Sequence, residues 1–151
     1  MNCVKYNDLL IPVIINVENE KVVDLFFDTT MNVTGNETAI HQQCYQELKQ
    51  YFNKERTSFD VPFQIEGTDF QQIVYRELLN IEYGTVISYK ELAKRVNRPK
   101  AFRAVGNANG KNRIPIIIPC HRVISNSGTL GGYSGGSEIK KILLGIEGVK
   151  L

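Results

Sequence analysis

Pro119-Cys120-His121-Arg122 sets a thiol, an imidazole and a guanidinium on three consecutive residues. A thiol reacts as its thiolate, so a reactive cysteine needs a base or a positive field beside it, and this run offers both. The competing reading is general: most lone cysteines are small buried hydrophobes. The preceding Ile114-Pro115-Ile116-Ile117-Ile118-Pro119 favours reactivity. Two prolines forbid a regular helix, the isoleucine triplet demands burial, and a rigid apolar support is what catalytic groups require. Cys120 to Ile124 reads as extended. Neighbours in a regular strand point to opposite faces, so pairing Cys120 with His121 needs a turn at Pro119–Cys120 or a bridging water. The sequence leaves both open.

The elements that must hold this run are legible from caps and turns. Thr68 with Gln71 forms a T-x-x-Q capping box, opening a helix with Phe70, Ile73, Val74, Leu78 and Ile81 inward; Gly84 closes that unit. Ser88 with Glu91 is a second box, for a helix burying Leu92, Ala93 and Val96. Asn97-Arg98-Pro99 is a turn, with Pro99 suited to the first position of the next helix. That helix carries Ala101, Ala104, Val105 and Ala108 inward, and Gly110 closes it. A short helix, a tight turn and an Ala-rich second helix bearing Lys100 and Arg103 describe a helix-turn-helix, an arrangement also found in proteins that never touch DNA. Gly131-Gly132-Tyr133-Ser134-Gly135-Gly136 is a flexible loop, and Ser137 caps a last helix with Ile139, Ile142, Leu143 and Ile146 inward. In the first third, apolar runs at Leu9–Val17 and Val22–Phe27 flank Glu18-Asn19-Glu20 as a hairpin. Glu37 to Phe52 is helical, with Ile40, Cys44, Leu48 and Tyr51 on one stripe and His41 at the surface. Residues 53–67 form a linker.

The net charge of +2 conceals a division of the chain. Residues 1–66 hold five Lys/Arg against ten Asp/Glu, and residues 67–151 thirteen against six, giving −5 and +7. Between residues 85 and 125 nine basic residues face only Glu91, a net of +8. Such a stretch is either a polyanion footprint or a solvated basic face. No apolar run spans a membrane, and Met1-Asn2-Cys3-Val4 lacks the basic, hydrophobic-cored form of an export signal, so a cytoplasmic protein is expected. Three cysteines without CxxC spacing argue against a disulfide framework and a structural zinc site.

Several blocks occur in a telling order: Ser88-Tyr89, Arg98-Pro99-Lys100-Ala101-Phe102-Arg103-Ala104-Val105-Gly106, Asn112, Ile118 to Ile124, Tyr133-Ser134-Gly135-Gly136 and Glu147-Gly148. Over residues 68–151 the chain resembles the O6-alkylguanine-DNA alkyltransferases, the methylated-DNA–protein-cysteine methyltransferases. The resemblance implies an α/β amino-terminal domain over 1–66, ribonuclease-H-like, and a mainly α winged helix-turn-helix domain over 67–151. It implies that Cys120 takes the alkyl group from guanine O6 once per molecule, with no cofactor and no metal. His121, oriented by Glu147, would deprotonate Cys120 through a water; Tyr89 would donate a proton toward the guanine ring; Asn112 would order the turn beneath. Val123, Tyr133, Ser134, Gly135 and Lys140 would line the flipped base. Ser88, Tyr89, Lys100, Ala101, Phe102, Arg103, Gly106 and Arg122 would face the DNA, with Arg103 filling the gap in the duplex. The expected partner is double-stranded DNA containing O6-alkylguanine, with single-stranded DNA and weaker action on O4-alkylthymine left open, and the expected state is a monomer.

Chemistry agrees with that division of labour. Full ionisation of an ordinary thiol, pKa ~8.5, gains at most roughly thirtyfold at neutral pH, about 2 kcal/mol, too little alone to break an alkyl ether. The leaving guanine must be protonated, and an atom hidden in the duplex must be exposed. Three positions depart from the family pattern: Phe102 where small residues are common, Arg113 where proline often follows the asparagine, and Tyr75 where tryptophan is frequent. Rival readings are a damage sensor, which would carry tryptophan at position 120, a transcription regulator, which leaves Cys120 and Glu147 idle, and a thiol hydrolase.

Overall fold

Asn19 and Glu20 both adopt left-handed backbone, φ 52° and 61°, the conformation that turns one strand directly back on the next. They join β2 (Val13–Glu18) to β3 (Lys21–Phe26), while β1 (Cys3–Tyr6) pairs along the other edge of β2, giving an antiparallel sheet of order β1-β2-β3. The apolar run from Leu9 becomes strand only at Val13; Leu9 and Ile11 are buried in the connection instead. In the computed structural model, which describes every residue except Thr29 and Ser134, this sheet belongs to the first of two units, Met1–Ile65 and Glu66–Leu151.

Helix α1 (Ala39–Phe52) packs on β2 and β3. It starts after Thr38, whose hydroxyl caps His41 N–H while His41 Nδ1 accepts from Thr38 N–H at 3.0 Å. An imidazole thus fills the place that Glu or Gln takes in the usual capping box. His41 Nε2 reaches Asn2 O at 2.9 Å, so this residue, expected at the surface, is fully buried.

Among the described residues the second unit holds five helical or turn segments and one two-stranded sheet. Helix α2 (Asp69–Leu78) has the capping box its sequence predicts. Its buried face is Val74, Tyr75 and Leu78, whereas Ile73 is 40% exposed, so the stripe is rotated from the expected one. Strand β4 (Ile87–Ser88) runs parallel to β5 (Val123–Ile124). Ser88 caps α3 (Tyr89–Arg95), which packs against α4 (Phe102–Gly110). Helix α4 begins three residues after Pro99, at a junction without a side-chain cap; Val105, Ala108 and Asn109 face inward and Ala104 is exposed. Helix α5 (Ser137–Ile146) starts with Ser137 as its first residue, and Gly136, at φ 93°, takes the cap position. Its inward face carries Lys140, Leu143 and Leu144, leaving Ile142 exposed. These rotations share a cause: packing selects the face that several elements can cover, which neighbouring residues along one helix do not specify. Among the described residues, no helix is long and apolar enough to cross a membrane.

Candidate active site

The isoleucine segment is a closed loop. Asn112 fastens it from within, its Nδ2 donating to Ile118 O at 2.8 Å and its Oδ1 accepting from Ile114 N–H at 3.0 Å. Ile114, Ile116, Ile117 and Ile118 are all buried. Arg113 pairs with Glu66, and the Asn112 bonds stand intact beside it.

On this support Cys120–Arg122 forms one turn of 3-10 helix, not the extended stretch expected. Cys120 N–H donates to Ile118 O at 2.8 Å and Arg122 N–H to Pro119 O at 3.0 Å. Three residues per turn spread the three side chains around the axis, so consecutive residues need not face opposite ways. Cys120 is 1% exposed. Burial pushes its thiol up to about 11, against the pull of hydrogen bonds from Asn112 and Tyr133 and of the Lys140 charge.

Beside the thiol lies a fully buried ionic group. Glu147, at the end of α5, accepts from His121 Nε2 at 2.6 Å, from Arg122 Nε at 2.9 Å and Nη2 at 3.1 Å, and from Gly84 N–H at 3.0 Å. Burial alone would raise the carboxyl, but these hydrogen bonds and the charge beside it hold Glu147 down at about 2. Burial lowers His121 below its ordinary value, opposed by Glu147. The imidazole is therefore neutral at pH 7, with Nε2–H committed to Glu147 and Nδ1 the nitrogen able to take up a proton. Arg122, expected at the DNA, is 7% exposed, and its Nη1 donates to Ile81 O at 2.7 Å. Its role in this structure is to neutralise and orient Glu147.

Lys140, expected on the substrate side, sends its buried ammonium to backbone carbonyls, Val123 O at 2.7 Å, Gly132 O at 3.3 Å and Leu130 O. Burial lowers it to about 8, opposed by the Cys120 charge. One side chain thereby ties β5 to the glycine loop. Ser134 lies outside the described residues, while Tyr133 and Gly135 are half-buried beside it.

Tyr89, the first residue of α3, is half-buried, and its hydroxyl rests against Gly131, whose φ is 71°. A Cβ at Gly131 would stand 3.3 Å from that oxygen. Burial and the Cys120 charge raise the phenol, and a hydrogen bond from Asn109 lowers it. Tyr89, Phe102, Arg103, Gly106, Asn107 and Asn126 line an open cleft of about 490 Å³. Lys100 and Arg103 are exposed, Ser88, Ala101, Phe102 and Gly106 half-buried, and Lys90 Nζ lies 5.9 Å from the Phe102 ring centroid. Of the basic side chains expected at a polyanion, Arg103 lines this cleft and Lys90 lies against Phe102 at its edge, whereas Arg122 is buried on Glu147. Asn109 was not singled out by the sequence; its signal was a polar residue next to Ala108 on the inward face of an Ala-rich helix.

Comparison with known proteins points one way. Residues 69–149 match the family model for the 6-O-methylguanine DNA methyltransferase DNA binding domain. The chain is 42% identical over 144 residues to the constitutive methylated-DNA–protein-cysteine methyltransferase of Bacillus subtilis, covering 89% of this chain and 87% of that protein. It is 47% identical over 106 residues to a Methanosarcina barkeri protein of the same description, covering 70% and 67%. Among solved structures, the Mycobacterium tuberculosis OGT in complex with DNA superposes with a TM-score of 0.88 at 38% identity, covering 97% of this chain and 92% of that one.

Proposed function

The chain belongs to the 6-O-methylguanine DNA methyltransferase family, which repairs DNA by moving an alkyl group onto protein, and we propose that Cys120 is the acceptor, working on O6-alkylguanine in double-stranded DNA. The observation that carries this reading is the buried thiol on the turn that also bears His121, with Glu147 and Arg122 behind it. His121 takes the thiol proton through a water. The thiolate Sγ then attacks the alkyl carbon in line, the S–C bond forms, and the C–O6 bond breaks with its electron pair passing to guanine. Tyr89 gives its proton to the guanine ring and regains one from the His121 side, so the reaction is neutral overall. With its thiol pushed up by burial, Cys120 depends on a base to take its proton before it can attack.

The nucleotide reaches Cys120 by flipping out of the duplex, with Arg103 entering the vacated stack and the Tyr133–Gly135 loop closing on the base. In the same reading the first unit is ribonuclease-H-like and the second a winged helix-turn-helix, with O4-alkylthymine a weaker substrate. The thioether has no release route, so each molecule reacts once. Intact-protein mass spectrometry after mixing with a duplex holding one O6-methylguanine tests this. The expected result is a gain of one methylene mapped to Cys120, saturating at one per molecule and abolished by Cys120→Ala; label on another residue would overturn it.

A further inference from the structure

Residues 81–84, in the connection from α2 to β4, gather on the buried ion group. Ile81 O accepts from Arg122 Nη1 at 2.7 Å, and Gly84 N–H donates to Glu147 Oε1 at 3.0 Å. Gly84 holds φ 80°, and a Cβ there would stand 3.2 Å from Glu147 O, so this turn needs glycine to bring its N–H to the carboxylate. Between these two lies Tyr83, half-buried. Cζ of Arg122 sits over its ring, 5.7 Å from the centroid, within the range at which an aromatic face holds a guanidinium. The Tyr83 hydroxyl donates to Ile146 O at 3.2 Å, the carbonyl immediately before Glu147 at the end of α5. One side chain thus reaches both sides of the Arg122–Glu147 pair.

We propose that Tyr83 is a positioning residue for alkyl transfer: anchored on Ile146 O, its ring holds the Arg122 guanidinium against Glu147, and Glu147 in turn keeps the His121 imidazole aligned. This rests on the base role given to His121 above. Arg122 commits Nε and Nη2 to Glu147 and Nη1 to Ile81 O, so the edge of the planar guanidinium is engaged and its face is left to the ring. Without the ring, water reaches that face and screens the cation from Glu147. The imidazole follows the carboxylate, because His121 Nε2–H is bonded to Glu147 Oε2 at 2.6 Å. That bond fixes the tautomer and leaves Nδ1 to receive the thiol proton. A carboxylate free to turn releases both the ring orientation and the tautomer, and small misplacements of a proton acceptor slow a reaction strongly.

Single-turnover transfer from a duplex carrying O6-methylguanine tests this, using Tyr83→Leu, Tyr83→Phe, Arg122→Met and the double variant Tyr83→Leu/Arg122→Met. Tyr83→Met serves as a second variant should leucine not be accommodated. Nitrogen-15 NMR of the histidine rings at pH 7 reads the tautomer; the chain has two histidines, and His41 in the first unit is the internal reference. The expected result is transfer slowed about tenfold by Tyr83→Leu, and within about threefold of the unaltered protein for Tyr83→Phe, which keeps the ring. The double variant is no slower than Arg122→Met, because Tyr83 acts through Arg122. His121 shows the Nε2–H tautomer in the unaltered protein and in Tyr83→Phe, and a mixture of tautomers in Tyr83→Leu, with His41 unmoved. Losses that add in the double variant, or an unchanged rate and His121 spectrum in a Tyr83→Leu protein that is only less stable, would overturn the inference. Slow His121→Gln with full-rate Tyr83→Leu sinks it alone, whereas full-rate His121→Gln sinks the base role and this inference with it.

Discussion

Glu147 is the residue on which the site turns. Four donors converge on its carboxylate, and two of them come from Arg122. Replacing Arg122 by methionine leaves a buried carboxylate without its cation, which costs about 3–5 kcal/mol, measurable by chemical denaturation at pH 7. The variant also alters the acid response. Glu147, held near 2, binds fewer protons folded than unfolded, so its stabilisation is complete above the ordinary carboxylate value of 4.5 and is lost as pH falls toward 2. His121, lowered by burial, adds a loss in the same direction below its ordinary 6.5. Without Arg122 the Glu147 carboxyl rises, and the acid unfolding limb should start at higher pH. An unchanged limb in Arg122→Met would show that His121 and Gly84 suffice to hold the carboxylate.

At the scale of elements, one turn and one helix end make separable predictions. Glu20 holds φ 61° in the β2–β3 turn, where glycine carries no Cβ penalty. Glu20→Gly should therefore stabilise the first unit, by about 0.5–1 kcal/mol, read as a rise in its melting temperature. Arg103 is exposed near the start of α4, beside the Tyr89 cleft. Arg103→Ala should slow transfer from duplex DNA far more than from free O6-alkylguanine base, because only the duplex has a gap to fill. Equal losses would remove Arg103 from extrusion and place it in base binding. The caps of α2 and α3 are readable because a cap is decided within four residues: Thr68 and Gln71 form the full box, and Ser88 accepts from Glu91 N–H. His41 is buried, against expectation, because its second partner, Asn2, lies 39 residues away in sequence.

For the molecule as a whole, the uneven charge is the property that bulk measurements see. Nine basic residues between positions 85 and 125 face one acid, although Arg122 is spent on Glu147 and Arg113 on Glu66. If about five of the remainder neutralise phosphates, log affinity for DNA should fall against log salt with a slope of about −4 to −5. A flat response would make the basic stretch a solvated face.

The sequence by itself determined the identities that carry chemistry: a thiol, an imidazole and a guanidinium in succession, an asparagine eight residues before the cysteine, and the caps that open α2 and α3. These depend on residue type and on contacts within a turn or two, which linear spacing encodes. The tertiary structure alone decided that Cys120 stands on a 3-10 turn, that Arg122 serves Glu147 across 25 residues instead of facing outward, and that Lys140 clasps three carbonyls. It also set the protonation states. A carboxyl near 2 and a thiol near 11 arise from desolvation and from partners brought in by packing, and neither is a property of the residue or its neighbours in the chain.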